Sequence, residues 1–294
     1  MSGAGTASEI FAPRMLSGSV ALVTGGGTGL GRATALELAR CGATVVISGR
    51  RAEVLQQAVA EIDVAGGEGS GDWISGDVRE GDEARELIER LIERHGRLDV
   101  LVNNAGGQFF SPAELIAAKG WRAVWRLNVG GMLNMAEAAY ELAFSHAGAG
   151  AVINVTLSPH HGMPGMAHSG SARAAVEALT TELALRWAQS GVSAVAVAAG
   201  HFDTEVLAKY PANVRAGASR TVPLQRLGTV QEHAWLVALL ASPAGRAFNG
   251  STVTLDGGRD NWFGPWPPPG LADEAGEVPV EERKPSDAAG AAPG

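Results

Sequence analysis

The stretch Ser19–Arg40, SVALVTGGGTGLGRATALELAR, carries three signals in a row. Its opening, Ser19–Gly25, is a short apolar, β-branched run and reads as a buried strand. Its close, Gly29–Arg40, reads as a helix. Between them lies TGGGTGLG, Thr24–Gly31. A helix that starts directly after glycines offers unpaired backbone N–H groups and the positive end of its dipole. Glycines also let phosphate oxygens approach the backbone closely. A glycine string alone is weak evidence. With a strand before it and a helix after it, the string reads as a pyrophosphate cradle. The residues expected to form it are Gly25, Gly27, Thr28, Gly29, Leu30 and Gly31.

The same strand–helix alternation continues outward. ATVVISG (43–49), GDWISGDV (71–78), LDVLVNNAG (98–106), AVINVT (151–156), VSAVAVAAG (192–200) and STVTLDGG (251–258) read as strands. Helices are expected from Arg51 towards Val64 and over Gly81–His95, Gly120–Ser145, Gly165–Gln189 and Val230–Leu240. Strands alternating with helices predict a parallel sheet covered on both faces. The expected fold is therefore a single α/β domain with a Rossmann-type doubly wound sheet, its ligand at the carboxyl ends of the strands. The domain is assigned to residues 16–260, after a flexible N-terminal arm at 1–15. Residues 201–223 form a connection long enough to act as a lid. Residues 261–294 form a proline-rich tail, disordered towards its end, in which Trp262, Phe263 and Trp266 are expected to dock.

Bulk properties remove several function classes. The 294 residues are 46% hydrophobic with a net charge of −8, which argues against nucleic acid or an anionic membrane as the partner. Cys41 is the single cysteine, so no internal disulfide forms, and a buried structural thiol is expected. No apolar run approaches a membrane span, and the N-terminus lacks the apolar core of a signal peptide. A soluble, cytoplasmic protein with a small-molecule substrate is the expectation. No metal-ligand set is read.

The second strand ends ISGRR. A site for NAD usually places an acid there for the ribose 2′-hydroxyl. Here Arg50 and Arg51 follow instead, and guanidinium groups suit a 2′-phosphate, so the expected cofactor is NADP(H). The spacing T-G-x-x-x-G-x-G together with NNAG resembles the short-chain dehydrogenase/reductase family over Leu16–Gly258. Thr24, Gly25, Gly29 and Gly31 match its glycine motif, and Asn103, Asn104, Ala105 and Gly106 match the segment beside the adenosine ribose. The resemblance further implies that Asp77 and Val78 meet the adenine, that Asn128 belongs to the catalytic framework, and that Gly200, Phe202 and Thr204 lie by the nicotinamide. A homodimer or homotetramer is also implied.

The catalytic pair of that family, Y-x-x-x-K, is missing. HSGSARAAV (168–176) places Ser169 where the tyrosine belongs and Arg173 where the lysine belongs. Arginine can hold a ribose but cannot relay a proton, and a serine hydroxyl is a far weaker acid than a phenol. The hydroxyl contributed after the fifth strand is either Thr156 or Ser158. Of the two tyrosines, Tyr140 falls within a long helix and is expected to pack, whereas Tyr210 lies in the lid. His160, His161, His168 and His201 fall in segments that should surround the pocket. The proton is expected to come from a histidine, His161 or His168 first, or from Tyr210.

HSGSAR together with NNAGGQFFSPAELIAAKGW resembles the branch of peroxisomal trans-2-enoyl-CoA reductases and bacterial citronellol/citronellal-type dehydrogenases. Reduction of an alkene beside a thioester needs donors for an enolate more than a phenol. Where enoyl reductases of that branch carry a tyrosine four residues past the arginine, this chain has Glu177. Three readings follow: an NADP(H)-dependent reductase of an activated alkene or carbonyl, a non-redox acid–base enzyme catalysing a cyclisation or elimination, and a non-catalytic NADP(H)-binding protein.

Overall fold

The computed structural model describes residues 6–66, 70–158, 160–162, 165–205, 207 and 218–261. Seven strands form one parallel sheet: β1 (Val20–Thr24), β2 (Thr44–Gly49), β3 (Ser70–Ser75), β4 (Val100–Asn103), β5 (Gly150–Leu157), β6 (Val192–Ala199) and β7 (Thr252–Leu255). Their spatial order is β3-β2-β1-β4-β5-β6-β7. The chain winds outward from β1 to β3, then crosses back to start the other half at β4. The crevice between the carboxyl ends of β1 and β4 is the switch point at which such sheets bind ligands.

Register sorts the side chains into two cores. Leu22 pairs with Val46 and Leu101, Leu101 with Val152, and Val152 with Ala194, all on one face. Val23, Ile47, Val102, Ile153 and Val195 alternate onto the other. Helices α3 (Gly81–His95) and α7 (Ala167–Trp187) cover the first face, with the helical run Ala118–Ala147 described below. Helices α1 (Gly29–Arg40), α2 (Ala52–Ala65) and α8 (Val230–Ala241) cover the second.

Helix α3 shows how the sequence dictates a helix. Ala84, Leu87, Ile88 and Leu91 repeat at helical spacing and are all buried, and the remaining positions are mostly charged. Asp82 and Glu83 sit at the positive end, Arg94 and His95 at the negative end, and Gly96 stops the helix with φ +75°. Burial of each large aliphatic side chain contributes about 1.5–3 kcal/mol.

The helix expected over Gly120–Ser145 is a longer run with two π turns. It comprises α4 (Ala118–Trp125), the π turn Arg126–Gly130, α5 (Gly131–Ala139), a second π turn, Tyr140–Phe144, and α6 (Ser145–Ala147). Tyr140 packs as expected. Its ring stacks on Trp187 at 4.5 Å, and its hydroxyl pairs with Ser190 at 2.9 Å.

From Ser8 onward the N-terminal segment packs on the domain. The Ser8 hydroxyl donates to the buried carboxylate of Glu37, the Leu16 N–H reaches the Cys41 carbonyl at 2.8 Å, and Phe11 and Met15 pack against the core. Cys41 is buried, and desolvation together with nearby Glu37 pushes its thiol up to about 12, which makes it inert. Residues 206 and 208–217 of the lid segment, Tyr210 among them, and the tail with Trp262, Phe263 and Trp266 lie outside the described residues. Among the described residues, no helix is long and apolar enough to cross a membrane.

Candidate active site

The glycine loop lies at the switch point. Gly25 and Gly29 have φ +65° and +53°, a region that favours glycine. A Cβ on Gly31 would overlap the Asn104 side chain and the Gly25 carbonyl. Asn104 locks the loop, its Nδ2 donating to the carbonyls of Thr24 at 3.0 Å and Gly25 at 3.3 Å. The Thr24 hydroxyl accepts from the N–H groups of Asn104 and Ala105, both at 3.0 Å. Helix α1 starts at Gly29 after the exposed Thr28, with no acid in its first turn. Its positive end therefore faces an open cradle.

At the adenosine end, Arg50 and Arg51 are exposed just beyond β2. The Asp77 carboxylate is gripped by Arg79, whose Nε lies 2.9 Å from both oxygens. Hydrogen bonding from Arg79, opposed by partial burial and aided by the charge of Arg50, holds Asp77 below the usual carboxylate range. Arg79 is a cation at this end that the sequence reading did not single out. Val78 is buried against Gly131, where a Cβ would lie 2.8 Å from the Val78 Cγ2.

Asn128 sits in the first π turn, a distortion frequent at functional sites. It is buried, and its Nδ2 donates to the carbonyls of Gly107 at 2.9 Å and Val124 at 2.8 Å, while its Oδ1 accepts from the Gly107 N–H at 3.2 Å. Arg173 reaches across the strand ends to the same place. Its Nη1 donates to the Val155 carbonyl at 2.6 Å, and its Nη2 fills the space where a Cβ of Gly106 would be. Its Nε is buried with no hydrogen-bond partner among the described residues. Burial lowers the guanidinium pKa to about 10, against an opposing pull from Glu177, so it remains charged at neutral pH. The glycine cradle and this orphaned buried N–H are what a bound nicotinamide dinucleotide needs: room for phosphates at one end and a donor for a ribose hydroxyl at the other.

Ser169 is buried, and its hydroxyl donates to Gln108 Oε1 at 3.2 Å. Gln108 was missed by the sequence reading. Its signal is a lone amide between two glycines and two phenylalanines in GGQFF. The hydroxyls of the fifth strand are spoken for. Thr156 donates to Glu177 Oε1 at 2.6 Å, and Ser158 donates to Asp256.

The histidines divide by environment. His160 lies between Glu177, with Nε2 2.9 Å from Oε2, and Asp260, which takes its Nδ1. Burial alone would lower its pKa, but the two carboxylates outweigh that and raise it. His161 turns Nε2 to the Asp260 carbonyl at 2.8 Å. His168 is fully buried, edge-on to Phe109 at 4.3 Å and to Trp121 at 6.1 Å, with neither ring nitrogen in hydrogen-bond geometry among the described residues. Desolvation lowers its pKa, although the Met166 backbone favours the proton slightly. His201 lies 3.4 Å from the Thr221 hydroxyl, and burial and then Arg259 lower its pKa. The structure thus ties His160 and His161 to the turn after β7, and it buries His168 in an aromatic box.

Beyond β6, Gly200 is needed because a Cβ would lie 2.5 Å from that of Asp256. Phe202 is buried, bridges to Gly228 and meets His233 edge-on, and Thr204 is half-buried. Among the described residues, the crown around Arg173 therefore offers Ser169, Gln108, Asn128 and Glu177 as polar groups, and the tyrosine position holds no phenol.

Residues 25–260 match the family described as enoyl-(acyl carrier protein) reductase. The chain is 34% identical over 251 residues to a probable 2,4-dienoyl-CoA reductase of Bacillus subtilis strain 168, covering 84% of this chain and 97% of that protein. It is 37% identical over 254 residues to a cis-4-hydroxycyclohexanecarboxylate dehydrogenase of Sinomonas cyclohexanicum, covering 85% and 98%. Among solved structures it resembles a citronellol catabolism dehydrogenase of Pseudomonas aeruginosa PAO1, with a TM-score of 0.77, 37% identity and coverage of 85% and 98%.

Proposed function

This chain belongs to the short-chain dehydrogenase/reductase family of oxidoreductases, and on that premise we propose that it is an NADP(H)-dependent reductase of an activated alkene in a hydrophobic acyl thioester. The observation that carries the reading is the Ser169–Gln108 pair one helical turn from Arg173, a set of hydrogen-bonding groups that, among the described residues, includes no phenol. When bound, the nicotinamide supplies the hydride. Arg50 and Arg51 would hold the 2′-phosphate, the glycine loop would hold the pyrophosphate, and Arg173 would hold a ribose hydroxyl. The Gln108 amide N–H would face the thioester oxygen as negative charge develops there, oriented by the Ser169 hydroxyl that donates to its Oε1, and a donor placed at such a point lowers the barrier by a few kcal/mol. Carbon protonation is completed by water, so the site needs no strong acid. The name of the Bacillus relative fits this substrate class. Self-association belongs to the same reading, with Leu185 of α7 (72% exposed) as its apolar contact.

The test is nicotinamide absorbance with NADPH and a series of enoyl-CoA, dienoyl-CoA, ketone and alcohol substrates. Consumption of NADPH with the conjugated thioesters is the expected result. Turnover of ketones or alcohols with no response to any unsaturated thioester overturns the reading.

A further inference from the structure

His168 presents a physical puzzle. It is the second residue of α7, it is fully buried, and neither ring nitrogen has a partner among the described residues. An unsatisfied buried polar group costs about 1–3 kcal/mol. Among the described residues no side chain offers this ring a hydrogen-bonded route for a proton, and desolvation lowers its pKa.

What the ring does have is contacts. It braces Phe109, on the loop after β4, against Trp121 of α4. That loop is held at two further points. Phe109 sits over Gly120, where a Cβ would lie 2.9 Å from its Cζ, and the Ser111 N–H reaches the Gly165 carbonyl at 2.9 Å. Gln108 immediately precedes Phe109, and Ser169 immediately follows His168. The Ser169–Gln108 hydrogen bond therefore joins the two residues that flank the Phe109–His168 ring contact. A shift of Phe109 must carry Gln108 with it.

We propose that His168 is a positioning residue: its ring, acting as a flat packing wedge rather than as an acid, fixes Phe109 and thereby the placement of Gln108 against Ser169. This rests on the proposed role of Gln108 at the thioester oxygen. A flat ring of this size is what the box requires, so phenylalanine should replace the histidine.

The experiment compares His168→Ala, His168→Phe, Gln108→Ala and the double variant Gln108→Ala/His168→Ala, using NADPH and a conjugated dienoyl-CoA. His168→Ala is expected to lower kcat by roughly 10–100-fold, the scale of a displacement of about an ångström at a reacting group. His168→Phe should stay near wild type across pH. The double variant should be no slower than Gln108→Ala alone, because the wedge acts through Gln108. Hydrogen–deuterium exchange of the segment 107–111 gives a readout without turnover: faster in His168→Ala, unchanged in His168→Phe. If the wild type reduces no unsaturated thioester but exchange follows this pattern, the substrate reading has failed and the wedge stands. The wedge is overturned if His168→Phe is as slow as His168→Ala and loses a limb of the pH profile, which marks a proton donor. It is also overturned if His168→Ala leaves both exchange and kcat unchanged.

Discussion

Gly106→Ala tests whether the buried guanidinium and the glycine before Gly107 form one unit. The added methyl would overlap Arg173 Nη2 and lie 2.8 Å from Asn128 Oδ1. Asn128 cannot yield, because three hydrogen bonds of 2.8, 2.9 and 3.2 Å hold its amide. Arg173 is the far end of a flexible chain and must move by about an ångström, which stretches its 2.6 Å bond to the Val155 carbonyl beyond hydrogen-bond range. The same shift would displace the guanidinium proposed to hold the nucleotide ribose. Losing one hydrogen bond from a charged donor costs about 1.5–3 kcal/mol, so the Kd for NADPH should rise by roughly 10–150-fold. Calorimetric titration measures the Kd, and circular dichroism verifies the fold. A second variant, Gly106→Ala/Arg173→Lys, carries a smaller head and should recover part of the affinity. An NADPH Kd within about twofold of wild type in Gly106→Ala would refute the placement of Arg173 at the ribose.

Four further outcomes are expected. Arg50→Ala should weaken NADPH by roughly 10–150-fold and leave NADH unchanged, and equal affinities for the two nucleotides in the wild type would remove the 2′-phosphate assignment. His233 is buried in α8, and desolvation lowers its pKa to about 4, below the unfolded value of about 6.5. The unfolded chain therefore takes up the proton first, so stability is full above about pH 6.5 and falls by about 2–3 kcal/mol towards pH 4, a loss that denaturant midpoints should show and that His233→Gln should abolish. His160 has the opposite sign. Its raised pKa makes the contribution full below the unfolded value and lost as pH rises through the folded one, so a proton resonance titration should place it above the ordinary histidine value and Glu177→Gln should lower it. Ser169→Tyr with Arg173→Lys restores the usual pair but crowds Gln108, so ketone reduction should emerge only when Gln108→Ala is added. Ketone reduction by the double variant alone would show that Gln108 does not occupy the phenol's space.

The fold was legible because a parallel sheet buried on both faces writes its strands as unbroken apolar runs, and Val20–Thr24 through Val192–Ala199 show this plainly. The weakest strand in the sequence, around Trp73, is the sheet edge, where only Ile74 is fully buried. The π turns were not legible, since a one-residue widening of a helix leaves its apolar spacing almost unchanged. The cofactor cradle was readable because its glycines have steric causes that act locally. The catalytic crown was harder to read, because its partners meet across long stretches of chain: Ser169 with Gln108, Arg173 with Gly106, and His160 with Asp260. Histidines on adjacent segments looked like pocket groups. What separates them is which carboxylates the turn after β7 brings near, and the chain order does not reveal that.

The departures from the usual pair are best understood as one set of changes. A lysine beside a tyrosine serves to lower the pKa of a phenol, and without the phenol that service has no object. An arginine gives up proton relay but gains a planar, permanently charged fork, and even at about 10 its pKa keeps it charged at neutral pH. The longer side chain needs room, and Gly106 supplies it, because any Cβ there would collide with the guanidinium. At the tyrosine position stands a shorter hydroxyl, which donates to an amide from the loop after β4. Such a crown could hold a ribose and stabilise an oxygen that is gaining charge, yet among the described residues its tyrosine position offers no phenol to protonate an alkoxide. That asymmetry favours a substrate whose charge spreads through a conjugated thioester and whose final proton goes to carbon, where water suffices. The same asymmetry predicts that simple ketones, which need a proton at oxygen, are poor substrates for this chain.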